Sequence, residues 1–204
     1  HIAAEELEGA ILSSVVPPLN AVITEAVRKV TGLSCKLVGA GMKTGMNIRM
    51  DDPKHIGSDL IVDSVAAKAN YPLPIIVIDM GTATSITALD QNGDYVGGII
   101  HPGLRVSLNT LSGSTAQLPS IDLESPGRAL AKNTIEAMQS GILYGTAGML
   151  DGILTRMEKE LGSKATIVAT GGLARFVTPL CSHQIEIDDL LLLKGLLILY
   201  RKNS

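Results

Sequence analysis

The sequence predicts an α/β fold in which a mixed sheet is flanked by helices, and three observations predict it. Residues 75–78, 85–89 and 95–100 are β-rich apolar runs, and the Gln91-Asn92-Gly93-Asp94 stretch between the last two carries strong hairpin chemistry, so these strands read as antiparallel. From residue 134 onward, helical and β-rich segments alternate. The N-terminal half shows a partial version of the same alternation.

The elements follow in order. An acidic, helix-like stretch covers residues 3–9, and residues 10–16 form an apolar run stopped by Pro17-Pro18, read as a short buried strand entering a loop. Residues 20–31 space Val22, Ile23, Ala26, Val27 and Val30 at helical intervals, with Gly32 as the stop. Residues 35–38 form a second strand, and the glycine-rich segment 39–45 leaves no room for a helix. Asp52-Pro53 opens a helix whose apolar face is Ile56, Leu60, Val62, Val65 and Ala66, ending at Asn70. Tyr71-Pro72-Leu73-Pro74 is a stiff linker, so a boundary near residue 73 divides the chain into units 1–73 and 74–204. After the three-strand meander and Pro102-Gly103 come a helix over 104–111, a loop, and a long helix over 134–161. A strand over 165–170, a helix over 173–180, a strand over 184–187 and a closing helix over 190–202 complete the chain.

Composition narrows the function. The 204 residues are 46% hydrophobic and 18% charged, which supports a sizeable core. A net charge of −3 leaves no basic surplus for a nucleic-acid backbone or an anionic membrane, and 2% aromatics supply few rings for base stacking. Neither nucleic acid nor membrane is expected as a partner. Ligand contacts must then come from backbone groups and small polar side chains. Cys35 and Cys181 lie far apart without metal-ligand spacing, which fits a reducing cytoplasm. The chain opens on His1 in what reads as mid-domain, so a fragment is expected.

The sharpest chemical signal is the run from Ile75 to Ser85. A buried strand delivers Asp79 at its tip, Gly81 lets the backbone turn close to a ligand, and the Thr82 and Thr84 hydroxyls with adjacent N–H groups suit phosphate oxygens. The alternative is an Asx or Ser/Thr turn in which the same groups satisfy only local backbone. Thr170-Gly171-Gly172 repeats the geometry of a strand followed by close backbone approach, which suits a nucleotide and equally a plain turn. Asp59, after Gly57-Ser58, is placed either to accept a proton from a substrate hydroxyl or to occupy a helix's first turn. Asn133-Thr134 reads by itself as a helix cap. His55, His101 and His183 have no Ser, Cys or Asp at triad spacing and are read as solvated or core histidines, and no GxxxxGK[ST] loop occurs.

Taken together these residues resemble the type III pantothenate kinases, of the actin-like, sugar-kinase and Hsp70 ATPase superfamily. The resemblance runs through Ser13-Ser14-Val15-Val16-Pro17, Gly57-Ser58-Asp59, Asp79-Met80-Gly81-Thr82-Ala83-Thr84, Gly97-Gly98-Ile99-Ile100 with Pro102-Gly103, Thr115-Ala116-Gln117-Leu118-Pro119, Asn133-Thr134 and Thr170-Gly171-Gly172. It implies a duplicated ribonuclease-H-like fold, its first half incomplete here, and transfer of the ATP γ-phosphate to the primary hydroxyl of pantothenate, the first step of coenzyme A synthesis. It further implies Asp59 as the base and Gly57, Ser58 and Leu60 at the pantothenate pocket. Thr134 would reach that pocket from the partner subunit of a homodimer through the long helix. Gly81, Thr82, Thr84, Gly171 and Gly172 would lie at ATP, and Asp79 at a monovalent cation, K+ or NH4+, required together with Mg2+.

Two features depart from the family pattern: its N-terminal Asp-x-Gly-Asn-Thr phosphate loop does not occur in this sequence, and Leu60 stands where Arg is frequent, leaving Arg105 or Lys132 as substitute partners for the pantothenate carboxylate. A non-catalytic regulatory relative of the same fold, or another small-molecule kinase of the superfamily, is the competing expectation.

Overall fold

The computed structural model describes residues 6–204, with the backbone alone at Lys54. His1 and the first part of the acidic stretch 3–9 lie outside the described residues. In chain order the elements are β1 (Ala10–Leu12), α1 (Pro17–Thr31), β2 (Cys35–Leu37), α2 (Ser58–Asn70), β3 (Ile75–Met80), β4 (Ala83–Leu89) and β5 (Tyr95–Pro102). They continue with α3 (Leu104–Gly113), α4 (Thr134–Leu161), β6 (Thr166–Thr170), α5 (Ala174–Val177), β7 (Glu186–Ile187) and α6 (Leu191–Lys202).

The main sheet has the order β5-β4-β3-β6-β7. β3, β4 and β5 form the antiparallel meander, while β6 and β7 run parallel to β3. Three antiparallel strands followed by helix-connected parallel ones make this the ribonuclease-H-like sheet that the resemblance implies. β1 and β2 pair in parallel as a separate two-stranded sheet joined by α1, the partial alternation expected of the N-terminal half.

Strand periodicity sorts the core into two layers. Ile75, Val77 and Leu89 face α2 and α6, where Val62, Val65, Ala66, Leu191 and Leu199 close one core. Ile76, Ile78, Met80 and Ile86 face the other way, onto Leu143, Ala147, Leu150 and Leu154 of α4 and Leu104 of α3. Asp79 continues the 75, 77 sequence, so the alternation turns its carboxylate toward the α2 layer.

Helices α2 and α6 cross at close range. A Cβ on Gly195 would fall 2.1 Å from the Val62 carbonyl oxygen, so a glycine in mid-helix is what lets the two backbones approach. Asp188 ties the same region together: its carboxylate accepts hydrogen bonds from Tyr71 Oη at 3.0 Å and Lys194 Nζ at 2.6 Å. At the far end of the sheet, Asp151 of α4 accepts from His183 Nδ1 at 2.7 Å and from the Ser182 and His183 backbone N–H groups, pinning the β6–β7 connection.

Five element boundaries differ from expectation, the first being β1, which keeps only Ala10–Leu12 of the strand expected over residues 10–16. Pro17 and Pro18 do not precede α1 but form its first turn, where a missing N–H costs nothing. The helix expected to open at Asp52-Pro53 is a 3-10 turn over Pro53–His55, and α2 proper begins after Gly57. The helix expected over 173–180 breaks into α5 and a 3-10 turn at Thr178–Leu180, because Pro179 cannot continue the ladder. β7 keeps only two residues of the four expected. No helix among the described residues is long and apolar enough to cross a membrane.

Candidate active site

The parallel strands β3 and β6 deliver Asp79 and Thr170 side by side, since these two residues are register partners at the carboxyl ends of their strands. Sheets of this kind place ligands outside those ends. Beyond Asp79 the chain reverses at Gly81, whose N–H bonds the Ala83 carbonyl at 3.0 Å, and Thr82 stands exposed at the bend. The Thr82 carbonyl accepts the Gly103 N–H at 3.1 Å, so α3 begins directly against this loop. Its unpaired first-turn N–H groups add positive potential there.

Beyond Thr170, Gly171 adopts φ +90°, and a Cβ at that position would lie 2.7 Å from the Met80 backbone. Only glycine permits this contact between the β6 turn and the end of β3. Gly172 beside it faces open space, and the two glycines with Arg175 and Asp189 line an open pocket of about 270 Å³.

A second cavity of about 170 Å³ lies between the start of α2 and the β4–β5 hairpin. Gly57 and Leu60 line it, with Ile56, Tyr95, Ile99 and Ile100 as its apolar and aromatic walls. Ser58 turns away and holds the start of α2, its hydroxyl 2.8 Å from Ser13 Oγ and donating to the Ser14 carbonyl at 3.3 Å.

Asp59 is not itself among the cavity's lining residues; it stands on the first turn of α2 between Gly57 and Leu60, which are. Its Oδ1 accepts the Leu60 N–H at 2.9 Å and closely overhangs Gly57, while Oδ2 has no hydrogen bond among the described residues. Its charge is felt on both sides. Burial, and then the Asp59 carboxylate, raises the Asp79 pKa; at the cavity wall, burial and then the same carboxylate push Tyr95 up to about 12. The two carboxylates therefore share one electrostatic environment.

One further carboxylate completes the cluster. Asp63, a turn after Asp59, is 2% exposed and its Oδ1 has no hydrogen-bond partner among the described residues. Burial, then the charges of Asp79, Asp59 and Asp188, push its pKa to about 8. Asp188 shows the opposite outcome: burial pushes it up, but the Lys194 and Tyr71 hydrogen bonds outweigh that and hold it below the usual carboxylate range.

Of the residues singled out in the sequence, Gly57 and Leu60 line one cavity and Gly171 and Gly172 another, Asp59 and Asp79 are coupled electrostatically, and Gly81 and Thr82 form the bend after Asp79. The structure does not bring Thr84 to them. Thr84 is the register partner of Met80, so its side chain joins the α4 layer, where the hydroxyl is buried without a partner among the described residues. Thr134 is the exposed first residue of α4 on the opposite side of the sheet from α2, and Asn133 caps that helix by accepting the Glu136 N–H at 2.9 Å. Arg105 and Lys132 do not line the cavity beside Leu60. Asp63, Tyr95, Arg175 and Asp188 escaped the sequence reading. A carboxylate inside the continuous buried run Ile61–Ala67 was the available signal for Asp63; the others are assembled only by tertiary contacts.

Among the described residues no group of three or more His, Cys, Asp or Glu is arranged to hold a metal. The single hard oxygen donor at Asp79, beside other carboxylates, fits a weakly held monovalent cation.

The profile of the type III pantothenate kinase family matches residues 1–156. Proteins named type III pantothenate kinase from Moorella thermoacetica and Listeria welshimeri are 44% and 41% identical, over 98% and 100% of this chain and 79% of each relative. Among solved structures, a conserved Baf-family protein from Campylobacter jejuni matches with TM-score 0.63 at 18% identity, covering 98% of this chain and 86% of that one. That likeness concerns the fold.

Proposed function

The chain belongs to the type III pantothenate kinase family, and from that premise we infer how its residues transfer the γ-phosphate of ATP to pantothenate. Pantothenate lies in the cavity between α2 and the β4–β5 hairpin, its dimethyl segment against Ile56, Tyr95 and Ile99 and its primary hydroxyl toward Asp59. Asp59 Oδ2 takes the hydroxyl proton as the alkoxide oxygen bonds to the γ-phosphorus; the bond from that phosphorus to the β–γ bridging oxygen breaks and ADP leaves. The Thr82 hydroxyl, the loop N–H groups and the first turn of α3 neutralise charge on the transferring group. Gly171 and Gly172 pass beneath the nucleotide, with Arg175 at the edge of their pocket.

Asp79 holds the monovalent cation, which supplies positive charge where several carboxylates converge. The reading includes a boundary near residue 73, a homodimer in which Thr134 contacts pantothenate of the partner, and a cytoplasmic setting suited to the free thiols of Cys35 and Cys181.

One observation carries the proposal: Asp59 lies on the first turn of α2 between Gly57 and Leu60, which line a cavity of about 170 Å³, and its charge raises the pKa of Asp79 at the β3 strand tip. Asp59→Asn should lower kcat for ATP-dependent phosphorylation of pantothenate by about 10²–10⁴-fold with unchanged circular dichroism. Turnover within a few-fold of the parent would remove Asp59 from the chemistry.

A further inference from the structure

Pantothenate carries a carboxylate at the end opposite its reacting hydroxyl, and an anion beside apolar walls requires a donor. The cavity between α2 and the β4–β5 hairpin offers little. Leu60, Ile56, Met50, Ile99 and Ile100 are apolar, Thr87 and Tyr95 are neutral, and Asp52 adds a carboxylate of its own. Among its described lining residues, His55 is the one able to carry positive charge.

His55 is also oriented. It ends the 3-10 turn ahead of Gly57 and stands largely exposed at the cavity, with Nδ1 2.8 Å from Asp52 Oδ2. Nε2 has no hydrogen bond among the described residues, so one nitrogen is fixed and the other is left for a ligand. An imidazolium donates from both nitrogens.

We propose that His55 is the specificity-determining residue for the acid end of the substrate, donating from Nε2 to the pantothenate carboxylate while Asp52 holds Nδ1. The inference rests on the pantothenate kinase reading, since it assigns that substrate to this cavity. Asp52 acts through His55 as a positioning residue. The arrangement places an imidazole donor four residues before the proposed base, so one short segment reads both ends of the substrate.

The test compares pantothenate with pantothenyl alcohol, which keeps the reacting end and replaces the carboxylate by a neutral hydroxymethyl group. Calorimetry on the unaltered protein and on His55→Gln gives the ratio of the two dissociation constants. His55→Gln should weaken pantothenate about tenfold and leave the alcohol within twofold. His55→Arg should restore the preference for the acid, and steady-state assays should show the change in KM for pantothenate with kcat retained. An unchanged acid-to-alcohol ratio in His55→Gln, or equal weakening of both ligands, overturns the proposal. Calorimetry separates the two readings: selective binding without phosphoryl transfer would sink the kinase assignment and leave His55 in place, whereas an unaltered protein that binds neither compound sinks both.

Discussion

Asp63 is a carboxyl group that folding keeps protonated. It lies in the middle of α2, 2% exposed, with one oxygen unpartnered and three other carboxylates acting on it. An ionised carboxylate there would be desolvated and repelled, so the proton stays on up to about pH 8. The sign of the stability effect follows. Below about pH 4 the folded and unfolded chains both hold this proton. Between about 4 and 8 the unfolded chain has released it and the folded one has not, so the Asp63 contribution falls as pH rises through that window and then levels off. Asp63→Asn, neutral at every pH, should match the parent near pH 4 and exceed it by about 1–3 kcal/mol at pH 8. Urea denaturation at the two pH values measures it; an equal gap at both would show that Asp63 is not the titrating group. At this scale the sequence was informative where chemistry is contiguous, as in Gly57, Asp59 and Leu60. It was silent where a site is assembled across elements. Tyr95 reaches Asp59, and Asp188 reaches Asp63, only because the α2 layer packs on one face of the sheet. Thr84 shows the same limit in reverse: two residues from Thr82 in sequence, it pairs with Met80 rather than with Asp79, so strand alternation turns it to the face opposite the Asp79 carboxylate.

The elements were legible where local rules and tertiary context agree. The Asn92-Gly93 turn, the β3–β4–β5 meander and the long α4 with its Asn133 cap all stand as read. Misreadings fall on proline, which both ends and begins helices: Pro17 and Pro18 begin α1, while Pro179 breaks the segment after α5. The α2–α6 crossing was invisible, because Gly195 reads as a helix weakener until Val62 is found against it. Here propensity and packing oppose each other. Replacing glycine by alanine gains about 1 kcal/mol of helix propensity. The added Cβ would meet a backbone carbonyl, which cannot swing aside as a side chain can, and separating the helices disturbs the core around Val62, Leu191 and Leu199. Overpacking wins, so Gly195→Ala should cost about 1–3 kcal/mol net, a loss of roughly 2–10 °C in Tm. A variant melting at or above the parent temperature would show that the crossing relaxes freely.

On the scale of the whole molecule, the sheet separates two groups that the family resemblance assigns to one substrate. Asp59 belongs to the α2 layer, whereas Thr134 starts α4 on the opposite layer, amid exposed apolar side chains at Leu130 and Ile135. Within one chain the two are not brought to the same cavity, so a shared role requires a second copy that presents its α4 start to the α2 side. In a two-fold dimer that exchange is mutual, and each site draws Asp59 from one chain and Thr134 from the other. Complementation tests this directly. Asp59→Asn lacks the base, and Thr134→Trp obstructs the neighbouring chain's pocket, so each homodimer has two defective sites. In a mixed dimer the defects fall together on one site, and the other combines an intact Asp59 with an intact Thr134. Refolding the two inactive variants together at equal concentration should therefore restore about a quarter of the parent's sites, because half the dimers are mixed and each holds one sound site. Recovery near that level, absent when the pre-formed homodimers are mixed without exchange, is the expected result. If the refolded mixture stays as inactive as its components, Thr134 does not act across the interface.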